Sequence, residues 1–183
     1  GSAIIIQGRL YDSQNSKTAE IGHYIVEKDG KQCRCGRKGC LETKVATHAI
    51  AEQVRAACTE ETMPQLCRLM EGDPNRIEAR NISEWIETED DGLGRVLDDI
   101  IEQLARVAVN TITLLAPDKV IIYGEMFSHP RVEERFLHFC SHYDASYHGG
   151  YIVKSELSDR IEYIGPLAVA VNELFLLAGS QED

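Results

Sequence analysis

The stretch 20-EIGHYIVEKDGKQCRCGRKGCLE-42 decides how this chain is read. Cys33, Cys35 and Cys40 place three thiols within eight residues, and Gly36 and Gly39 supply the tight turns that let such a loop converge on one point. His23 stands ten positions before the first cysteine, on what reads as a strand, and a neutral imidazole completes a Cys₃His set. Four protein ligands close a tetrahedral zinc site and leave no position for water, so the metal is expected to organise a loop spanning about residues 28–42 rather than to do chemistry. Reduced surface thiols, or a disulfide pair plus a spare thiol, are the alternatives. Three cysteines this close, with a histidine nearby, fit zinc better.

The residues that carry the metal also carry a resemblance. Glu20-Ile21-Gly22-His23, followed by Cys33-Arg34-Cys35-Gly36-Arg37-Lys38-Gly39-Cys40-Leu41-Glu42, resembles the signature of the ROK family of repressors, open reading frames and sugar kinases, and most of all its N-acetylglucosamine- and xylose-repressor type. The match runs on through Thr43, to a segment near residues 110–126 and to the C-terminal helix. What the resemblance implies is an α/β, actin-like and ribonuclease-H-like fold of two lobes with a sugar in the cleft between them. Residues 1–183 look like the second, C-terminal lobe, carrying an inserted zinc loop.

The resemblance further implies that Glu20, His23 and Glu42 hydrogen-bond sugar hydroxyls. The chemistry agrees, since carboxylates accept pairs of hydroxyl hydrogen bonds and charge-assisted bonds are the stronger kind. His23 would give one ring nitrogen to zinc and the other to the sugar, so that the metal sets its tautomer and orientation. Without the motif, Glu20 and Glu42 would read as two solvated surface acids.

Composition sets the outer bounds. The 183 residues are 43% hydrophobic, enough for one sizeable core, and the net charge of −11 excludes the basic stripe that nucleic-acid binding requires. If the whole protein binds DNA, another segment does so. No apolar run approaches the roughly 20 residues of a membrane span, and no signal segment opens the chain. Cys58, Cys67 and Cys140, scattered through helical patterns, read as core thiols in a reducing cytoplasm. Gly1-Ser2, without an initiator methionine, reads as the start of a piece cut from a longer protein, the dipeptide left by cloning.

Along the chain, residues 3–11 are expected to form one strand and 21–27 a second, paired as a hairpin. An amphipathic helix should run from Thr43 toward Ala57, with Val45, Ile50 and Val54 near one face, and Thr59 to Thr62 should cap a short helix ending at Gly72. Asn81 to Ile86 reads as a turn of helix with Trp85 and Ile86 in the core, and Glu87 to Asp91 as a solvated acidic run. The longest helix starts at Gly94 and stops before Pro117. Lys119–Tyr123 reads as a strand buried on both faces, followed by a helix 130–142, a strand 151–154 and a helix 166–178. His138 and His142, one helical turn apart, and His148 raise a second metal site, although partly exposed histidines are the simpler account, as for His48 and His129.

The segment Val109 to Met126 is similar to the family's Asn…Pro…Ile-Val-x-Gly-Gly element, in which glycines after the strand let backbone approach a nucleotide. Here Gly124 is followed by Glu125, and a carboxylate beside a triphosphate is repelled. The loop from Ser13 to Ala19 also lacks the glycines usual there. No phosphate loop is present and no catalytic base can be assigned. The expected function is therefore effector binding by a repressor lobe, for a sugar or amino-sugar derivative, in a cytoplasmic homo-oligomer (dimer or tetramer) whose DNA-binding domain lies outside these residues. The alternative is one lobe of an ATP-dependent hexose or amino-sugar kinase.

Overall fold

The computed structural model describes residues 1–11, 18–144 and 150–155. The first apolar run is not one strand. Gln7 and Gly8 both take positive φ (52° and 76°), so the chain turns back on itself and pairs β1 (Ile5–Ile6) antiparallel with β2 (Arg9–Leu10). Two adjacent positive-φ residues are the turn that matches strand twist, which is why the hairpin closes inside the run expected to be a single strand. Its expected partner is no strand either: Ile21–His23 form a 3₁₀ turn, and Ile25 makes only an isolated bridge to Cys40.

The helix expected from Thr43 is broken into α1 (Glu42–Val45) and α2 (Thr47–Ala57). Ala46 between them is extended, with ψ 142°, yet its carbonyl accepts from Ile50 N–H and so starts the second helix. Ile50 and Val54 are buried on α2, and Val45 packs partly buried against the same core. Then come α3 (Pro64–Leu69), two single 3₁₀ turns, and α4 (Ile82–Trp85). α5 (Asp91–Leu115) is the spine: Leu93, Leu97, Ile100, Ile101, Ala105, Val107 and Val109 are all buried, too many for one stripe of a surface helix. It ends at Ala116, which is left-handed (φ 42°, ψ 54°) just ahead of Pro117.

β3 (Val120–Ile122), α6 (Glu125–Ser128), α7 (Pro130–Tyr143) and β4 (Ile152–Lys154) make a β-α-β unit in which the strands pair in parallel, Val120 opposite Ile152. β3 is not buried on both faces. Val120 and Ile122 pack on the core while Ile121, on the opposite face by the two-residue alternation of a strand, is 62% exposed. The helix expected at 166–178 lies outside the described residues. Among the described residues no helix is long and apolar enough to cross a membrane.

The acidic run Glu87 to Asp91 departs from expectation at one residue. Asp90 is buried, and its carboxylate accepts from the backbone N–H of Gln65 (3.0 Å) and of Leu66 (2.8 Å). These are first-turn donors of α3 with no partner within that helix, so a residue 25 positions away acts as the cap that Met63 does not provide. Asp90→Ala should cost about 2–4 kcal/mol in urea unfolding, because it removes two charge-assisted hydrogen bonds and strands two donors. A cost below about 0.5 kcal/mol would show that the cap is idle.

Candidate functional site

The 3₁₀ turn at Ile21–His23 places Glu20 and His23 on one side, with Glu20 Oε2 3.8 Å from His23 Nε2. The loop that follows is pinned by backbone hydrogen bonds from Val26 N–H to Gly39 O, from Leu41 N–H to Tyr24 O and from Cys33 N–H to Arg37 O. Gly39 has φ 70° and sits so close to Glu27 that a Cβ there would run into the Glu27 carbonyl, which is the physical reason for glycine at this point. Gly36 also takes positive φ (88°) and closes the turn between Cys35 and Arg37.

The folded loop brings one ligand atom from each of His23, Cys33, Cys35 and Cys40 within 4.8 Å of every other. Cys33 Sγ lies 3.7 Å from His23 Nδ1, and Cys35 Sγ lies 3.6 Å from Cys40 Sγ. Bond lengths of about 2.3 Å to sulfur and 2.0 Å to nitrogen at tetrahedral angles require separations of roughly 3.5–3.8 Å, so the donor set fits a zinc-sized ion. If bound there, such an ion would act as a cross-link between the turn at His23 and the loop. Among the described residues the groupings that could hold a metal are confined to this set. His138, His142 and His48 are exposed, His129 is half-buried, and His148 lies outside the described residues.

The local electrostatics differ from thiol to thiol. The Arg37 backbone N–H donates to Cys35 and holds its thiol down at about 6, favouring the thiolate that a metal needs. Burial, reinforced by the neighbouring sulfurs, pushes Cys40 up to about 12. A bound cation would reverse that second effect, since a coordinating thiol is deprotonated by the metal itself.

Glu42 opens α1 immediately after Cys40-Leu41. Its Oε2 is 3.4 Å from His23 Nδ1 and 3.6 Å from Cys33 Sγ. His23 therefore lies between the two carboxylates, with Nε2 toward Glu20 and Nδ1 toward both the thiols and Glu42. The three residues expected from the motif are brought together, Glu20 the most open and His23 the least. Sequence reasoning passes over Arg34, whose guanidinium lies 2.7 Å from Glu42 Oε1. The signal is present, a basic residue between two clustered cysteines, but nothing in the spacing tells which acid it meets. Lys31 Nζ, 3.0 Å from Glu52 Oε2, ties the same loop to α2.

Comparison with known proteins places this geometry in context. The family model described as "ROK family" matches residues 1–172. The DNA-binding transcriptional dual regulator NagC of Escherichia coli is 30% identical over 131 residues, covering 69% of this chain and 30% of the relative. The glucokinase of Thermotoga maritima is 28% identical over 124 residues, covering 68% of this chain and 39% of the relative. A ROK glucokinase from Streptomyces griseus, solved with glucose and AMPPNP, superposes with a TM-score of 0.78 at 22% identity over 91% of this chain and 55% of that one. The chain thus spans about a third of the length of the two curated relatives and about half of the solved structure.

Proposed function

The chain belongs to the ROK family, and on that premise we propose that residues 1–183 form the effector-binding lobe of a transcriptional repressor. A sugar or amino-sugar derivative is held by Glu20, His23 and Glu42, and zinc, carried by His23, Cys33, Cys35 and Cys40, gives the loop its shape. The observation that carries the repressor reading is Glu125. It is exposed and opens α6 directly after β3, behind Gly124 at φ 131°. Kinases of the family are expected to bring uncharged backbone close to a nucleotide at that turn, and a carboxylate there repels a triphosphate. The 30% identity to NagC supports the same reading.

The sugar site works by paired acceptors. Glu20 presents its carboxylate on the Nε2 side of His23, and Glu42 presents a second on the Nδ1 side. Arg34 pairs with Glu42 Oε1 and orients the carboxylate, whose hydrogen bonds to hydroxyl donors are of the charge-assisted kind. DNA binding is assigned to a segment outside these residues, and the ligand regulates it by binding the two states of the whole protein unequally. The second reading, a lobe of an ATP-dependent sugar kinase, is favoured by the similarity to the Thermotoga glucokinase. Incubating the whole protein with ATP and a panel of hexoses and amino sugars separates the two: the repressor reading predicts no turnover and sugar-dependent release of operator DNA, whereas turnover at an ordinary enzymatic rate overturns it.

Glu42→Gln keeps the shape of the side chain and removes its charge. Calorimetric titration with the sugar that binds wild type should show affinity reduced about 10- to 100-fold, with metal content and melting temperature unchanged. Loss of the fold instead would make Glu42 a structural residue.

A further inference from the structure

We propose that Cys58 and Cys67 are a modification site: a thiol pair that hydroperoxides convert into a reversible intramolecular disulfide stapling α2 to α3. Their Sγ atoms are 3.3 Å apart although the residues are nine positions apart in sequence. Cys58 ends α2 in an extended conformation (φ −74°, ψ 113°), and Cys67 stands in the middle of α3. Neither belongs to the set of candidate metal ligands.

The connector that holds the pair is fastened at both ends. Thr59 and Thr62 each donate a backbone N–H to the other's hydroxyl at 3.1 Å, and Thr62 Oγ1 also donates to Ala57 O at 2.7 Å. Gly92 N–H donates to Thr62 O at 3.2 Å, and Asp90 caps α3 from the same side. Bond formation thus needs the sulfurs to close by little more than 1 Å toward the 2.05 Å of a disulfide, with no search for a partner.

Exposure sets the order of events. Cys67 is half-buried and open to a small oxidant, whereas Cys58 is buried and its thiol is pushed up to about 12 by that burial. The Cys67 thiolate attacks the peroxide O–O bond, giving the sulfenic acid and releasing hydroxide. Cys58 Sγ then attacks the sulfenic sulfur; the S–S bond forms, the S–O bond breaks, and the Cys58 proton leaves with the hydroxyl as water. Two electrons pass from the thiols to the peroxide, and dithiothreitol returns them.

Tryptic mapping of the hydrogen-peroxide-treated protein, with free thiols blocked by N-ethylmaleimide before digestion, tests this. Cleavage after Arg55 and Arg68 puts both cysteines in one peptide, 56–68, while Cys33, Cys35 and Cys40 fall in separate peptides, 32–34, 35–37 and 39–44, so the result does not depend on whether zinc is bound. The expected product is peptide 56–68 two hydrogens lighter than its dithiol form, unblocked, and restored by dithiothreitol. The oxidised protein should melt about 5 °C higher, as expected of a closed ten-residue loop, and Cys67→Ala should abolish both the product and the shift. Two maleimides on peptide 56–68 after the other cysteines have oxidised, or disulfides joining Cys58 or Cys67 to other peptides, would overturn the proposal.

Discussion

Cys35→Ser should lose its zinc: atomic absorption should read close to one ion per chain in wild type and near none in the variant. The expected effect is large because structural zinc contributes on the order of 10–16 kcal/mol of apparent binding free energy, and removing one of four ligands forfeits much of it. Cys35 is the right position to cut, since it is the exposed cysteine of the set and its loss leaves no cavity in the core. His23 would then lose the metal and keep only its contacts to Glu20, Glu42 and Cys33, so sugar affinity should fall with the metal, by tenfold or more. The helical signal in circular dichroism should persist, because the core under α2, α5 and α7 is built from residues outside the loop. A zinc-free protein that binds sugar as wild type does would show that the metal does not shape the pocket.

Trp85→Ala should do the reverse, lowering the melting temperature by about 10 °C while metal content stays at the wild-type value. Trp85 is fully buried in the main core, and its indole Nε1–H donates to Glu78 O at 3.0 Å. Truncating a buried Trp costs about 3–5 kcal/mol, and the stranded carbonyl adds to that. For a chain of this size each kcal/mol is worth about 2–4 °C. The protein has a single Trp, so the variant must be followed by circular dichroism rather than by Trp fluorescence. A loss smaller than 1 kcal/mol would contradict the packing described for α4. Together the two variants separate the loop, held by ligands, from the helical core, held by apolar burial.

Much of this protein is legible in its amino-acid order, for reasons that are local. The spacing of Cys33, Cys35 and Cys40 with Gly36 and Gly39 describes a loop that closes within itself, and the structure brings the thiols and His23 together as the spacing implies. The C-terminal limit of α5 and the start of α7 follow from apolar periodicity and from Pro117 and Pro130, whereas α5 opens at Asp91, three residues before the expected Gly94. Trp85 and Ile86 are legible as core for the same reason: large apolar side chains have few other places to go.

Pairings between segments far apart in the chain emerge on folding, because a hydrophobic pattern is silent on them. Asp90 sits in an acidic run that composition assigns to solvent, and it is buried because α3 brings it two N–H groups without a cap of their own. Residues 3–11 read as a strand because alternation is blind to the positive φ that Gln7 accepts, and Ile121 is open because the described sheet packs on one face only. The orientation of His23, with Nδ1 toward the thiols and Nε2 toward Glu20, comes from a 3₁₀ turn where a strand was expected. The sequence by itself named the candidate ligands, the main helices and the family. The fold decided which atoms face one another, because contacts across long separations depend on how the elements pack and not on the order of residues within any one of them.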